Sequence, residues 1–247
     1  VSVVFNFAAG LTISRAPAAR RHRLLVLAVA GDLALLGYFK YAGFLVGAAD
    51  GVLGRDWPVP AIALPLGISF FTLTQIAFLV DTARGAARDY KFLHDLLFVC
   101  YFPHLIAGPI LHHKELMPLL GRADIVRFSA RRMALGLSYF SIGLFKKTVI
   151  ADALSPYVGR VFDGAAHGMT PSAAEAWGAV LAYTLQLYFD FSGYSDMAIG
   201  LARIAGVHVP LNFHSHYKAA SIIEFWRRWQ LTLSRPLRAY HYIPLGG

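Results

Sequence analysis

Five apolar stretches dominate the chain: Leu24–Ala49, Ala61–Val80, Phe92–Leu111, Met133–Leu154 and Ala176–Ala205. Each approaches or exceeds the roughly 20 residues that a helix needs to cross a bilayer. None alternates apolar and polar positions over ten residues, as a membrane barrel strand would, so the pattern predicts helices. "VSVVFNFAAGLTI" reads as the tail of a further spanning helix, and both ends of the chain read as cut. We expect a single membrane-embedded domain over residues 1–247, incomplete at each end.

The basic residues fall between these stretches and set a topology. Arg15, Arg20, Arg21 and Arg23 precede the first, and one arginine against two aspartates follows it in "ADGVLGRDWPVP". Arg84, Arg88 and Lys91 follow the second, giving an in–out–in order. The alternation fails after Phe92–Leu111, because Lys114, Arg122, Arg127, Arg131 and Arg132 come next. Pro103, Gly108 and Pro109 also interrupt that stretch, and proline removes a helical donor. A re-entrant segment containing His104 and Pro109 reconciles both facts, since irregular backbone is tolerated at membrane depth where protein surrounds it. Met133–Leu154 then leads out and Ala176–Ala205 leads back. Lys146 and Lys147 fit this scheme poorly, being near the outer end of their helix.

Composition agrees with the pattern. Of the 247 residues, 57% are hydrophobic and 15% charged, against about 25% charged in a soluble domain. The formal net charge of +9 is spread between apolar segments and not along one face, which argues against nucleic acid. One cysteine, Cys100, excludes a disulfide within the chain and reads as a small buried thiol.

Ionisable groups inside apolar helices are expensive and tend to pair or line cavities. In "LQLYFDFSGYSDMAIG", Tyr183, Gln186, Asp190 and Gly193 share one helical strip, which is either a cavity wall or a polar contact between helices. Asp32 and Lys40 interrupt another helix about two turns apart, and Lys40 is expected to snorkel. The histidine pairs His112-His113 and His214–His216 lack metal-site spacing and have no cysteine cluster beside them, so no metal is expected; His94, His104 and His208 read as structural. Near the C-terminus, "EFWRRWQLTLSRPLRAYHYIPLGG" places Ile222, Trp226, Trp229 and Leu233 on one helical face, with Glu224 and Arg228 paired opposite. Gln230 then faces the apolar side. Composition alone would make this an interfacial anchor helix.

The segments "LPLGISFFTLTQIAFLVDTARG", "FPHLIAGPI", "GLFKKTVIAD", "LQLYFDFSGYSDMAIGLARIAG", "NFHSHY" and "EFWRRWQLTLSRPLRAYHYIPLGG" together resemble the membrane-bound O-acyltransferase family, in its bacterial alginate O-acetyltransferase-like branch. The resemblance implies an all-α, polytopic membrane protein whose helices and re-entrant segments surround an acyl-transfer tunnel. It implies O-acylation of alginate or another exported polysaccharide at a bacterial inner membrane. It further implies an acyl donor, a polysaccharide acceptor, acetyl-transfer partner proteins and no cofactor. Asp190, Tyr194, Ser195, Trp226, Arg227, Arg228, Trp229, Ser234 and Arg238 map to motif or tunnel positions. Gln230 stands where the branch usually has a catalytic histidine. The second family histidine, the usual general base, lies beyond "YIPLGG" and so outside this chain. Pro236 and Ala239 replace what are usually Trp and Asp. These departures predict little activity from the chain by itself. Two rival readings remain: a proton-coupled transporter using Asp190 and Asp196, and a non-catalytic remnant or scaffold of an acyltransferase.

Overall fold

The computed structural model describes all residues except 1, 56, 59–60, 87–90, 105–107, 112, 121–124, 126, 244–245 and 247, and leaves undescribed the side chains of His104, Lys114, Leu120 and His241. Among the described residues the chain is helical, with no strand. It divides into two units: Val1–Ile106 with Leu111–Pro118 and Arg238–Gly247, and Ala107–Ile110 with Leu119–Leu237.

The first unit contains α1 (Ser2–Arg15), α2 (Ala18–Leu36), α3 (Ala42–Leu53), α4 (Ile68–Ala83), α5 (Phe92–Val99) and most of α6 (His113–Leu120). Pro17 caps α2, where a missing N–H costs nothing. A π-helical turn, Gly37–Tyr41, joins α2 to α3, making one helical run of 36 residues from Ala18 to Leu53 that is long and apolar enough to cross a membrane. Gly54 ends it with φ 59°, a left-handed stop that glycine adopts without a Cβ penalty. The stretch expected from Ala61 becomes helical only at Ile68, after Gly67 at φ 69°; Pro65 delays the start because proline cannot supply a helical donor. Phe92–Leu111 is interrupted, as its prolines predicted. Helix α5 stops at Val99, and among the described residues a short 3-10 turn, Phe102–His104, is the helical structure between it and Pro109.

Helices α1, α2 and α4 pack against one another around Ile13, Ala28, Phe78 and Leu79. Polarity inside this unit is inverted relative to a water-soluble core. Asn6, Asp32, Thr72, Thr74 and Gln75 are buried, while Val26, Leu27, Leu33, Phe44 and Leu45 are exposed. Asn6 Nδ2 donates to Asp32 Oδ1 at 2.8 Å, so the expensive carboxylate has its partner inside. Lys40 reaches outward to Ser69 Oγ at 3.2 Å. Such a surface has hydrocarbon as its natural solvent. The C-terminal π-helical turn, Arg238–Tyr242, is tied back to α4: Tyr240 donates to Asp81 Oδ1 at 2.8 Å, and the Arg84 guanidinium lies 5.3 Å from the Tyr240 ring centroid.

The second unit is built on α7 (Ala130–Phe145), α8 (Asp152–Ala166) and α9 (Ala173–Ile204), followed by α10 (Ile222–Trp226) and α11 (Leu231–Leu237). A π-helical turn, Lys146–Ala151, fuses α7 to α8, and the run Ala130–Ala166 also passes the length and hydropathy test for a span. Ser172 and Glu175 close α9 with a reciprocal capping box. Helices α7 and α9 run antiparallel with their backbones in direct contact. A methyl on Gly143 would lie 2.5 Å from the Gly193 carbonyl oxygen, and one on Gly136 would lie 2.7 Å from that of Gly200. These glycine pairs sit two turns apart on each helix, so the close approach is continuous.

Adding a side chain at this contact should separate the helices. Gly143→Leu is expected to lower the unfolding temperature in detergent, read by circular dichroism, with an overpacking cost of about 1–3 kcal/mol or more. Gly37→Ala, with nothing within 4 Å of the added methyl and helical dihedrals, should leave stability unchanged or raise it by about 0.5–1 kcal/mol.

Candidate active site

The candidate residues of the second unit gather on α9 and on the segment from Asn212 to Leu237. Just beyond the glycine contact, Lys146 pairs with Asp196 at 2.5 Å, and Lys147 bridges Asp190 at 2.8 Å and Asp152 at 2.6 Å. The π-helical turn carries both lysines; its extra residue re-aims the side chains relative to a regular helix. This explains two lysines that the topology could not place: they answer the carboxylates of the neighbouring helix. The strip predicted along α9 therefore divides by function. Asp190 takes an ion pair and Gly193 the helix contact, while Tyr183 and Gln186 line a groove with α8. Ser195 is buried and its hydroxyl has no partner among the described residues; Tyr194 beside it is half-buried.

The stretch Ile222–Leu233 is not one helix, and this corrects the sequence reading. Helix α10, with Ser221 as N-cap accepting from the Glu224 N–H, ends at Trp226. Residues 227–230 form a turn, and Gln230 has φ 43°. A left-handed residue breaks the periodicity, so Trp226 and Trp229 do not share a continuous face, and Gln230 is not held on one. Its carbonyl instead accepts from the N–H groups of Leu233 at 3.0 Å and Ser234 at 3.3 Å, starting α11. The Glu224–Arg228 pair forms as expected. Trp226 and Arg227 are exposed, Arg228, Trp229 and Gln230 half-buried, and Ser234 exposed. Arg238 lies in the first unit. The side chain of His104 lies outside the described residues, and Pro109 is buried.

What holds this turn is a buried polar network that the sequence did not announce. The Leu231 N–H donates to the Asn212 carbonyl at 2.9 Å, and the His214 N–H to the Arg228 carbonyl at 3.0 Å. The Thr232 hydroxyl donates to Asn212 Oδ1 and accepts from the Ile110 N–H at 2.9 Å. Pro109 and Ile110, at the end of the interrupted segment, are thus fixed against α11.

The structure also singles out His216, which sequence reasoning had set aside with His214. It is fully buried, and neither ring nitrogen has a hydrogen-bond partner among the described residues. Five aromatic rings surround it: Tyr217 at 4.2 Å between centroids, Trp229 at 4.5 Å, Tyr188 at 4.6 Å, Phe225 at 5.2 Å and Phe213 at 6.0 Å. Trp229 stacks on Phe225 with an interplanar angle of 13°. The box is assembled from α9, the loop after it and α10, so only the tertiary fold brings it together. Burial holds the His216 pKa below its ordinary value, because charging the ring would cost solvation. Among the described residues, no three histidine, cysteine or acidic side chains converge as a metal site would require.

Helices long and apolar enough to cross a membrane, with polar groups buried and large apolar side chains exposed, define the class of a membrane-embedded helical protein. Residues 52–247 match the sequence model of the membrane-bound O-acyltransferase family, and the chain belongs to that family. It is 42% identical over 272 residues to a peptidoglycan O-acetyltransferase of Helicobacter pylori, covering 100% of this chain and 51% of that protein. It is 42% identical over 254 residues to a probable alginate O-acetylase of Pseudomonas aeruginosa, covering 99% and 47%. A teichoic acid D-alanyltransferase of Bacillus subtilis is 28% identical over 182 residues, 72% of this chain and 45% of that one. The chain thus spans about half the length of the curated relatives it matches.

The box around His216 makes a pH prediction. The folded pKa is depressed, so the unfolded chain takes up the proton first as pH falls. Stability is complete above the ordinary value of 6.5 and declines from there down to the folded pKa, by at most about 1.4 kcal/mol per pH unit. His216→Phe should flatten that decline while leaving stability at pH 8 unchanged or raised, since the unpartnered ring nitrogens are gone. Chemical unfolding followed at pH 8, 6.5 and 5 checks both.

Proposed function

We propose that this chain is the part of a membrane O-acyltransferase that builds one wall of its acyl-transfer site, and that the group moved is acetyl and the acceptor a hydroxyl on an exported polysaccharide. The observation that carries this reading is the 42% identity to a peptidoglycan O-acetyltransferase along the whole chain, coupled to the family match over residues 52–247. In the reaction, the acceptor oxygen forms a bond to the acyl carbonyl carbon, its proton goes to a general base, and the bond between the acyl group and its donor breaks. Gln230 offers an amide that donates and accepts hydrogen bonds but takes no proton at neutral pH. Its role is to hold the acceptor hydroxyl or the developing oxyanion, with Trp229 and the aromatic box as its support. Asp190, Ser195, Tyr194 and the Trp226–Arg228 segment shape the same wall, with Ser234 and Arg238 further along the motif and His104 and Pro109 on the re-entrant segment.

In this reading the donor is on the cytoplasmic side of a bacterial inner membrane crossed several times, the side to which the basic loops are assigned, with the acceptor on the other side and acetyl-transfer partner proteins that hand the acyl group onwards. The transporter reading loses ground here. Asp190 and Asp196 are each paired with a lysine, which gives them a structural role between helices.

The test is to express the full gene that encodes Val1–Gly247 in a bacterium lacking polymer O-acetylation, and to measure ester-linked acetate on the isolated glycans. Ester acetate is expected, to fall to background in Trp229→Ala and to rise in Gln230→His, a general base being worth about 100-fold or more. Acetate absent from the native protein and from Gln230→His alike would leave a non-catalytic remnant.

A further inference from the structure

Between α8 and α9 lies a groove of about 440 Å³, lined by Ser155, Gly159, Phe162, Asp163, Tyr183 and Gln186 over a floor of Val158. The acyl-transfer site described above uses none of these residues. Phe162 and Tyr183 stand side by side, centroids 5.8 Å apart and tilted at 57°, and both are exposed. Gln186 Oε1 is buried and has no hydrogen-bond partner among the described residues, a state that costs free energy until a donor arrives. The Asp163 carboxylate overhangs Gly159, so that its Oδ2 would lie 3.4 Å from a methyl placed there. The glycine keeps that space open. No lysine or arginine lines the groove; Arg160 follows Gly159 directly and is turned about 100° away around α8.

We propose that this groove is a subsite for an uncharged, hydroxyl-rich sugar unit of the acceptor polymer, selecting neutral glycans over uronate polymers. The proposal rests on the acyltransferase reading and extends it to the class of polymer, which that reading leaves open. A sugar supplies what the lining lacks: hydroxyl donors for the Asp163 carboxylate and, once the Gln186 amide turns toward the groove, for its Oε1, and a C–H face to lie on the two rings. The volume is within the ordinary range for small-ligand sites, about 300–1,000 Å³. A hydrocarbon tail would leave Gln186 Oε1 unmet and strip water from Asp163. A uronate would set its carboxylate beside Asp163 with no cation in the lining to offset the repulsion. In the proposed topology, the outward end of α8 carries the groove, on the side from which an exported polymer approaches.

Binding to the chain in lipid nanodiscs tests this without requiring turnover. The probes are a β-1,4-linked N-acetylglucosamine tetrasaccharide and a mannuronate tetrasaccharide, titrated and read by saturation-transfer NMR from the aromatic protons. The neutral sugar is expected to bind about tenfold tighter or more. Gly159→Leu, which fills the groove, and Gln186→Leu, which removes the acceptor, should each weaken it about tenfold. Asp163→Asn keeps the volume and removes the charge, so it should narrow the preference by raising uronate binding. Equal or tighter uronate binding, no binding of either sugar, or binding unaffected by all three variants would overturn the proposal; so would displacement of the sugar by short-chain lipid. A chain that binds the neutral sugar yet transfers no acetyl in the expression test defeats the acyltransferase reading and leaves the groove standing. Acetyl transfer without discrimination between the sugars does the reverse.

Discussion

The second unit depends on one contact, the backbone approach of α7 and α9 at Gly136–Gly200 and Gly143–Gly193. In hydrocarbon, apolar side chains gain little by leaving lipid for protein, so helices associate through close packing and polar contacts. The glycines allow the first, and the packing they permit brings the second within reach. Once the axes are this close, Lys146 meets Asp196 and Lys147, already beside Asp152 on its own helical run, meets Asp190. Lys146, Asp190 and Asp196 would otherwise be carried by their helices into lipid uncompensated. Contact and ion pairs therefore support each other.

From that frame the site is positioned outward along α9. Tyr188 and Phe191 project from it into the aromatic cluster, where Phe191 meets Phe213 at 5.0 Å and Tyr188 meets His216. The loop after α9 then returns hydrogen bonds to the Arg228–Thr232 segment through Asn212 and His214. A short helix of five residues, α10, could not hold this geometry by its own hydrogen bonds, since isolated turns are unstable. Rings and buried amides from neighbouring elements do so. His216 illustrates the cost of the arrangement: its two nitrogens sit among aromatic rings and have no partner among the described residues.

The same helix serves two environments. Its inner portion carries the glycines and aspartates that face α7, and its earlier turns carry Tyr183 and Gln186 into the groove with α8. A single polar strip in sequence thus reaches two successive parts of one helical run, α7 and α8, which have a π-helical turn between them and a proline at position 156.

The sequence by itself determined the helical class, the lipid-facing composition, the break in Phe92–Leu111 and the Glu224–Arg228 pair. Each follows from local rules: hydrophobic length, proline's missing donor, and the spacing of neighbours on one helix turn. It misjudged the stretch from Ile222 to Leu233, because a left-handed Gln230 breaks a helix without any glycine or proline to announce it. Only the tertiary structure decided which of the polar residues on α9 would be paired and which would line a groove, what Lys146 and Lys147 answer, and that His216 is buried among five rings. Those outcomes depend on partners far away in the chain, and a periodicity records which face a residue occupies but not what the fold brings against it.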